Sequence, residues 1–557
     1  MKKLNLRTPQ NKQIFLSAAW EKIPLILEEN EKILSQYSFK ILNQPFQTIR
    51  KRSRKNILRE AFKFSSKFDS SLERKINFIP QFIIQTGHQP VFFHPGIWMK
   101  NILLDALLKS FHSDKYKCLG LNIILDNDVI KDLSLFLPVC SDSGHLKLEE
   151  TDFFSASQGI PFEERPLPTL EQINKFTENI SNKLKPLRNK KILTNFLNFS
   201  QCLENSFHFC NQNYNNSNFG EFLGMSRRFY ESEINPIYLE LPFSRICNSD
   251  EFLSFFLEII KNIEVFSRIY NDRLDEYRKF FRIKNQANPC PNLEIKKNLI
   301  EAPFWIICNK GERRSLYILK EDNKVNLYND FMGKILTFNK DDSELLKKLK
   351  FNLTEMGLKI RPKALLLTLY NRLFISDLFI HGLGGAKYDQ VTDEIIKEFF
   401  KVEPPRFLTT SCTLLLDFKE ASNTSNLKVF TLKKKIRDLE FNPERYLREL
   451  DLPEKEKIKI TRLEKKKKEL IKKIKNESLP KQKQKISEEI KNINKIIKEE
   501  LFPLQLEWEN EIKKLEGRIN QSKIYNFREF PYFLFSASTL QGLLKANLSL
   551  SASNNGK

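Results

Sequence analysis

A His-Gln pair follows a short apolar segment in the first part of the chain, and its position favours ligand binding. Residues 82–84 are typical of a buried strand, Gly87 permits a tight turn, and an apolar helix is predicted from Gly96 onward. Ligands usually bind beyond the carboxyl ends of parallel strands, where the next helix offers free N–H groups to an anion. We therefore predict that His88 and Gln89 lie at a binding site, although a polar turn between a strand and a helix is also common without one.

Acidic side chains follow the next apolar segment. Residues 121–125 have the length of a buried strand, and the sequence Asp-Asn-Asp at 126–128 comes directly after it, with Asp132 beyond. Carboxylates at a strand end can bind a divalent ion, a substrate ammonium group or a hydroxyl. The same cluster also makes a good turn. If the two strands are parallel neighbours, these acids lie beside the His88 loop.

A glycine-rich loop follows a predicted strand in the second half of the chain. The strand covers residues 378–380, and the loop HGLGGAKY covers residues 381–388. Glycines allow the backbone to approach a ligand closely, and His381 and Lys387 add a titratable group and a charge. The loop favours phosphate or carboxylate binding, but it matches neither the P-loop nor the dinucleotide fingerprint. It repeats the strand–loop–helix pattern of the His88 loop, so the two loops could face each other across one sheet.

A parallel sheet flanked by helices would position these loops, so the predicted fold class is α/β. Helices are predicted at residues 11–36, 45–68, 169–187, 190–211, 251–281, 341–357 and 391–400. Further strands are predicted at residues 237–241, 304–308, 315–319 and 325–328, where a turn at 309–311 favours a hairpin.

A long charged pattern between residues 439 and 515 predicts an antiparallel helical hairpin with its turn at Pro480. An apolar stripe runs through Ile486, Ile490, Ile493, Ile497 and Leu501. The hairpin could bind tRNA by its lysines or pair with a second copy by its stripe, and the stripe favours pairing. The aromatic segment 526–535 is predicted to fold back on the core, and residues 549–557 to be disordered.

These patterns predict six parts of the chain. They are N-terminal helices over 1–80, the first half of the core over 81–150, a continuation with inserted helices and a β-hairpin over 151–360, the second half of the core over 361–438, the helical hairpin over 439–520, and a returning C-terminal segment with its tail over 521–557.

The composition argues against a membrane protein, a secreted protein and a zinc protein. No uncharged apolar run of about 18 residues and no signal-peptide pattern is present, so a cytoplasmic protein without a membrane partner is expected. The eight cysteines include no C-x-x-C pair, which favours buried thiols over a zinc site, and no metal site is predicted. A formal charge of +23 and a pI near 9.4 suggest nucleic acid, but the lysines are concentrated in the hairpin, where a solvated face is the commoner explanation.

The order of these features resembles the cysteine-adding enzymes of bacillithiol biosynthesis, the BshC family. That family carries T-G-Q-Q followed by a glycine-proline loop, where this chain has TGHQ at 86–89 and Pro95-Gly96. It carries an E-D-H-D type strand end, where this chain has Asp-Asn-Asp at 126–128. The resemblance extends over nearly the whole chain, because the charged hairpin and the returning C-terminus also occur in the same order.

The second half of the chain carries the rest of the resemblance. The family has an R-P segment and then F-x-x-G-P-G-E-x-x-Y, and here Arg361-Pro362 precedes FIHGLGGAKY at 379–388. Phe379, Gly382, Gly384 and Tyr388 fall in register with the motif. The departures are a histidine at position 88 for the family's glutamine, a glycine at 385 for its glutamate, and the added His381 and Lys387.

The resemblance implies a Rossmann-like core, similar to nucleotidylyltransferases, with inserted connecting segments and a coiled-coil hairpin through which two copies dimerise. It implies a carbon–nitrogen ligase that joins cysteine to glucosaminyl malate, an amino-sugar conjugate, with ATP or ADP and Mg²⁺ as the expected cofactors. An RNA- or tRNA-binding protein with a degenerate nucleotide-binding core is the alternative hypothesis.

Two sets of site residues follow. Those expected to take part in catalysis are His88, Gln89, Lys387 and His381. Those expected to bind substrate or nucleotide are Thr86, Gly87, Gly96, Lys100, Asp126, Asp128, Gly382, Gly384, Gly385 and Tyr388. Positively charged His88 and Lys387 are expected to stabilise developing negative charge, and Asp126 and Asp128 to hold an ammonium group or Mg²⁺.

Overall fold

The computed structural model describes most of the chain, and its two compact units are treated separately below. The described residues are 6–72, 76, 78–111, 116–129, 134–140, 146–152, 159–213, 217–296, 298–308, 311–321, 323–330, 332–340, 342–418, 426–450 and 452–554. The first unit comprises Met1–Val139, Glu149–Leu416 and Arg528–Lys557, and the second comprises Cys140–Leu148 and Asp417–Phe527.

The strands within the described residues are β1 (Gln13–Leu16), β2 (Lys40–Ile41), β3 (Gln44–Pro45), β4 (Phe82–His88), β5 (Cys118–Ile124), β6 (Ser134–Cys140), β7 (Leu146–Asp152), β8 (Leu239–Pro242), β9 (Ile295–Lys296), β10 (Leu299–Ile307), β11 (Arg313–Glu321), β12 (Lys324–Asn329), β13 (Gly333–Asn339), β14 (Lys359–Pro362), β15 (Leu378–His381) and β16 (Phe407–Thr413).

The α-helices within the described residues are α1 (Ile23–Ser35), α2 (Phe46–Ser65), α3 (Pro95–Ser110), α4 (Leu170–Leu184), α5 (Lys190–Asn213), α6 (Phe219–Tyr230), α7 (Phe243–Cys247), α8 (Asp250–Lys261), α9 (Ile263–Phe281), α10 (Leu345–Glu355), α11 (Ala364–Tyr370), α12 (Leu383–Ile395), α13 (Asn426–Leu439), α14 (Glu454–Asn476), α15 (Pro480–Glu500), α16 (Phe502–Tyr525) and α17 (Ala537–Asn554).

The first unit is built around a mostly parallel sheet, which confirms the predicted α/β class. Its strand order is β1-β16-β15-β4-β5-β8, and every neighbouring pair is parallel except β1 with β16. All seven residues of β5 are buried, as expected for a strand covered on both faces. The apolar run before each predicted loop is therefore an inner strand of one sheet.

Three carboxyl ends of this sheet lie side by side. In the register of β4 and β5, His88 is opposite Ile124, and in the register of β15 and β4, Phe379 is opposite Gln85. The Thr86 hydroxyl, which is completely buried, donates a hydrogen bond to the Ile380 carbonyl oxygen at 3.0 Å. The loops that follow β15, β4 and β5 consequently leave the same edge of the sheet, and we call them the strand-end loops.

A buried carboxylate fixes the opposite ends of β4 and β15. Asp377 accepts from the Arg50 guanidinium at 2.7 Å, from the Arg54 guanidinium at 2.6 Å and from the Ile83 backbone N–H at 2.7 Å. Both arginines belong to α2, so one side chain joins this helix to two adjacent strands. The contact sets the relative position of the strands that carry two of the loops.

A second sheet in the same unit confirms the predicted hairpin and extends it. Its order is β13-β12-β11-β10-β14, all antiparallel, with Trp305 opposite Ser315 in the hairpin of β10 and β11. This sheet brings Arg313, the first residue of β11, to the strand-end loops.

Three predictions of local structure are wrong. The glycine-rich segment 381–388 was predicted to be a loop before a helix at 391–400, but α12 begins at Leu383, so only Gly382 separates this helix from β15. Residues 13–16 form an edge strand that pairs with β16, whereas a helix was predicted from residue 11, because a partner nearly 400 positions away supplies the backbone hydrogen bonds. Residues 549–554 continue α17, whose Leu540 and Leu544 are buried, rather than being disordered. The last three predicted tail residues lie outside the described residues.

The second unit is a helical region. Helices α14 and α15 run antiparallel on either side of a short connection at 477–479, and ion pairs join Lys459 to Glu500 and Lys466 to Glu489. The buried core of the unit includes Ile460, Ile493, Ile497, Leu501 and Trp508. Across the described part of the chain, no helix is both long and apolar enough to span a membrane.

Candidate functional site

His88 ends β4 as a neutral side chain. Its Nδ1 lies 3.1 Å from the Gln89 carbonyl oxygen, and because a carbonyl only accepts, Nδ1 carries the proton. The ring contacts Phe93 edge-on, with 5.2 Å between the ring centroids. Burial, with a further effect of the Lys100 ammonium, lowers the pKa of His88 to about 3. The expected imidazolium is therefore absent at neutral pH, and Nε2 is an acceptor for which the described residues provide no hydrogen-bond donor.

Lys100 lies beneath the same loop. Its side chain is almost completely buried, and Nζ donates to the Gly87 carbonyl oxygen at 2.5 Å. Burial and the nearby Arg227 guanidinium lower the pKa of Lys100 to about 7. Gly87 itself must be a glycine, because a Cβ there would lie 2.9 Å from the Ile123 carbonyl oxygen. The end of β4 is thus bonded to the Lys100 amino group, which loses its proton more readily than an ordinary lysine.

Asp128 joins two of the strand-end loops. Gln89 Nε2 donates to one of its oxygens at 2.6 Å, and the Arg313 guanidinium donates to the other at 2.8 Å. Arg313 also donates to the Asn127 carbonyl oxygen at 3.2 Å. Arg313 was not predicted from the sequence, and no local signal indicates it, because it lies 185 positions from Asp128.

Asp126, which was predicted to bind ligand or Mg²⁺, makes a structural contact with Ser244. It is completely buried and accepts from the Ser244 backbone N–H at 2.9 Å and from the Ser244 hydroxyl at 2.5 Å. Burial and repulsion by Glu163 raise the pKa of Asp126 to about 7. The carboxyl group therefore fixes the start of α7. Asp132, the other acid of this cluster, lies outside the described residues.

The glycine-rich loop begins α12. Gly382 is the N-cap residue without a side-chain cap, and a Cβ at Gly382 or Gly384 would meet open space. The first N–H groups of a helix have no intrahelical partner, so this end can bind anionic oxygens. Lys387 lies one turn further on and is exposed, and we find no ion pair for it among the described residues.

His381 and Tyr388 lie together behind that loop. His381 is buried, and its Nε2 is 2.8 Å from Asp389 Oδ2. A Cβ at Gly385 would lie 2.9 Å from His381 Nδ1 and 3.7 Å from the Tyr388 hydroxyl. Burial raises the pKa of Tyr388 to about 12, so its hydroxyl stays protonated. Asp389 was not among the predicted residues.

The start of α3 closes the other side of the β4 loop. His94 is its N-cap, and Nδ1 accepts from the Gly96 N–H at 3.0 Å. A Cβ at Gly96 would lie 2.7 Å from both the Arg528 guanidinium and the Cys412 carbonyl oxygen, so glycine allows this close packing. Burial and Arg528 lower the pKa of His94 to about 4. His94 was not predicted as a site residue, although its place before Pro95 is a typical helix-start signal.

One open cavity of about 540 Å³ lies elsewhere in this unit, beside β8 between α2 and α8. Its charged side chains are already paired, as Arg245 is with Glu221, Lys350 with Asp250, and Glu251 with Arg52. We therefore place the candidate site at the strand-end loops.

The structure brings most predicted residues into two neighbouring groups. The first contains Gly87, His88, Gln89, Gly96, Lys100 and Asp128, and the second contains His381, Gly382, Gly384, Gly385 and Tyr388. Thr86 ties β4 to β15 between the groups, Asp126 is held in the structure by Ser244, and Lys387 is exposed to solvent. No protein-family model and no curated protein sequence matches this chain.

Proposed function

We propose that this chain is a carbon–nitrogen ligase of the type that adds cysteine to glucosaminyl malate, acting at the strand-end loops. The observation that carries the proposal is that the TGHQ loop, the Asp128 loop and the glycine-rich loop are neighbours at one edge of a parallel sheet and that Gln89 bonds Asp128 directly. Such an edge is where ligands bind in open α/β sheets.

The proposed fold is Rossmann-like and related to nucleotidylyltransferases. The parallel order β16-β15-β4-β5-β8, with helices α3 and α12 directly after β4 and β15, supports it. The proposed C-terminal coiled coil would join two copies. The exposed Phe430, Phe502 and Leu506 of the second unit, with 68%, 59% and 45% of their surface accessible, support an interface between copies.

The residues suit nucleotide phosphate better than a protein-bound metal ion. The uncapped start of α12, with open space at Gly382 and Gly384, fits phosphate or carboxylate oxygens. Both oxygens of Asp128 and both of Asp126 already accept hydrogen bonds. The described residues include no cluster of three or more histidines, cysteines or acids for a metal. We therefore derive no step through Mg²⁺ bound by these carboxylates.

Within this proposal, each residue has a chemical role. An amide forms when an amine attacks a carboxyl carbon that ATP has activated, and negative charge develops on the carbonyl oxygen. The free N–H groups of α12 would hold anionic oxygens. His88 Nε2, as a neutral acceptor, and the Gln89 amide would orient the incoming amine.

The test is product formation by purified full-length protein. Cysteine, glucosaminyl malate and ATP should yield an amide product, observed by mass spectrometry. His88→Ala and Gln89→Ala should each reduce the rate by roughly 10²-fold, as the loss of one oriented polar group commonly does. Lys55→Ala, an exposed change on α2, should leave the rate unchanged. Full activity in both site variants would reject the site.

A second candidate function is nucleic-acid binding by the hairpin of α14 and α15. The observation that favours it is the uneven distribution of basic residues along the hairpin. Residues 465–485, around the turn, contain ten lysines and two acids, whereas 454–464 and 486–500 together contain seven basic and seven acidic residues. A general drift of the composition toward lysine would raise the positive charge along the whole hairpin. The excess of positive charge is instead confined to residues 465–485, the end of the hairpin that contains the turn. Such a cluster fits a phosphate backbone.

Two triple variants that remove the same charge test whether the lysines near the turn bind nucleic acid or only form a solvated surface. Binding of tRNA to the full chain should weaken steeply with salt and should fall at least tenfold in Lys472→Gln/Lys473→Gln/Lys475→Gln. The control variant, Lys455→Gln/Lys491→Gln/Lys495→Gln, removes the same charge far from the turn and should bind almost as wild type. Equal losses in the two variants would show only non-specific attraction.

A further inference from the structure

A histidine, an aspartate and an arginine form a buried chain behind the glycine-rich loop. His381 Nε2 lies 2.8 Å from Asp389 Oδ2, and the Arg372 guanidinium lies 2.7 Å from the same oxygen. The exposed fractions of these residues are 4%, 0% and 1%. Arg372 also pairs with Asp393 at 2.7 Å. The His381 ring is therefore held from one side by a fixed carboxylate.

This contact decides which ring nitrogen of His381 carries the proton. Burial alone would raise the pKa of Asp389, but the attraction of the Arg372 guanidinium and the hydrogen bond from His381 outweigh it and hold the pKa well below its usual range. An ionised carboxylate only accepts, so Nε2 must donate. Burial also lowers the pKa of His381, despite the opposing effect of Asp389. The neutral ring thus presents an unprotonated Nδ1.

The free nitrogen faces the glycine-rich loop. Nδ1 of His381 has no hydrogen-bond partner among the described residues. A Cβ at Gly385 would lie 2.9 Å from Nδ1, too close for two such atoms. The Tyr388 hydroxyl borders the same space. Glycine at position 385 is therefore what leaves Nδ1 open.

The surroundings of His381 come from several elements. Asp389 reaches it from α12, Arg372 from the turn that follows α11, and Lys100 acts on it from α3. The rings of Phe379 and Phe407 lie 4.6 and 4.9 Å from the imidazole, centroid to centroid. These rings restrict the imidazole to one orientation, so the hydrogen bond to Asp389 and the opening at Gly385 persist together.

We propose that His381 is the general base of this site, taking a proton at Nδ1, and that Asp389 is the positioning residue that fixes its tautomer. The proposal rests on the proposed ligase function. As the amine nitrogen forms its bond to the activated carboxyl carbon, it loses one proton to Nδ1. The bond from that carbon to the carboxyl oxygen carrying the phosphorus group from ATP breaks, and this oxygen leaves with the bonding pair as part of the phosphate. Asp389 then stabilises the imidazolium until the proton passes to solvent.

A purely structural role for this chain makes different predictions. If Asp389 only anchors Arg372, blocking Nδ1 should not matter so long as the anchor stays intact. Gly385→Ala places a methyl group against Nδ1 and leaves the Asp389–Arg372 contact in place. Gly542→Ala adds the same methyl group in α17, away from the site, where it also meets open space. The two variants form a matched pair.

The experiment uses the full chain and two measurements. Amide formation is followed from pH 5.5 to 9, and the ring nitrogens of His381 are observed by ¹⁵N NMR. Gly385→Ala should lower kcat by roughly 10²-fold with KM nearly unchanged, and Gly542→Ala should be as active as wild type. Asp389→Asn should also lower kcat, should move the acid limb of the pH profile, and should shift the proton from Nε2 toward Nδ1. Asp389→Glu should restore part of the rate.

The outcomes separate the two proposals. A folded wild-type protein that forms no amide product overturns the ligase function. If the wild type is active and Gly385→Ala matches it, or if NMR places the proton of the neutral ring on Nδ1, the ligase function stands and the role of His381 is overturned.

Discussion

Gln89 Nε2 donates to Asp128 Oδ2 over 2.6 Å, so the loop after β4 is bonded directly to the loop after β5. Arg313 holds the other oxygen at 2.8 Å from a different sheet. Asp128 therefore sits between an amide and a guanidinium and is partly exposed, with 38% of its side-chain surface accessible. This three-residue contact fixes the relative position of two strand-end loops.

The contact between Gln89 and Asp128 should be sensitive to a negative charge at position 89. Gln89→Ala removes one hydrogen bond to a partly exposed carboxylate and should cost about 1 kcal/mol in the free energy of unfolding. Gln89→Glu places a second carboxylate against Asp128 and should cost more. The double variant Gln89→Glu/Asp128→Asn should recover much of that difference. Denaturant unfolding of the four proteins tests this, and equal losses in Gln89→Ala and Gln89→Glu would contradict it.

Lys100 should make stability depend on pH above neutrality. Its pKa is about 7 in the folded chain and near its ordinary value of 10.5 when unfolded, so between these values the unfolded chain binds more protons. Stability should therefore rise with pH from about 7 to about 10, by about 4 kcal/mol at most. Lys100→Met should lack this contribution.

The measurement is the free energy of unfolding at pH 6.5, 8.0 and 9.5 for the wild type and Lys100→Met. The stability of the wild type relative to the variant should improve steadily across the series. Parallel curves would mean that the buried ammonium group keeps its ordinary pKa. Below pH 7 the difference should be constant, because Lys100 is protonated in both states there.

Two glycines of the site should respond in opposite ways to an added methyl group. Gly87→Ala would press a Cβ against the Ile123 carbonyl oxygen and should destabilise the protein by roughly 1–3 kcal/mol. Gly384→Ala meets open space inside α12 and should raise stability by up to about 1 kcal/mol, because alanine favours the helix. Thermal unfolding of both variants provides the comparison, and destabilisation by Gly384→Ala would show that the loop has no spare room.

The buried carboxylate of Asp377 should be among the most sensitive positions outside the site. Asp377→Ala leaves the Arg50 and Arg54 guanidinium groups without their partner and frees the Ile83 N–H, so a loss of roughly 3–5 kcal/mol is expected. Lys55→Ala on the same helix removes an exposed charge and should change stability by less than about 0.5 kcal/mol. A similar small effect in both variants would contradict the role assigned to Asp377.

Local sequence patterns were sufficient for the elements that carry the site. The apolar runs at 82–84, 121–125 and 378–380 correctly predicted three inner strands, although the predicted loop after the third is helical from Leu383. The spacing of apolar residues also gave the helical hairpin with its break before Pro480. These signals are local, because burial of a strand or of one helix face constrains nearby residues.

The sequence by itself determined the inner strands, the loops after them and the residue types those loops present. Only the tertiary structure decided that Asp126 bonds Ser244 while Asp128 meets Gln89 and Arg313, that His88 is neutral, and that Asp389 holds His381. It also made residues 13–16 an edge strand. The physical reason is common to all of these: burial, partner and charge state depend on groups brought together by folding from distant positions, and no local pattern records them.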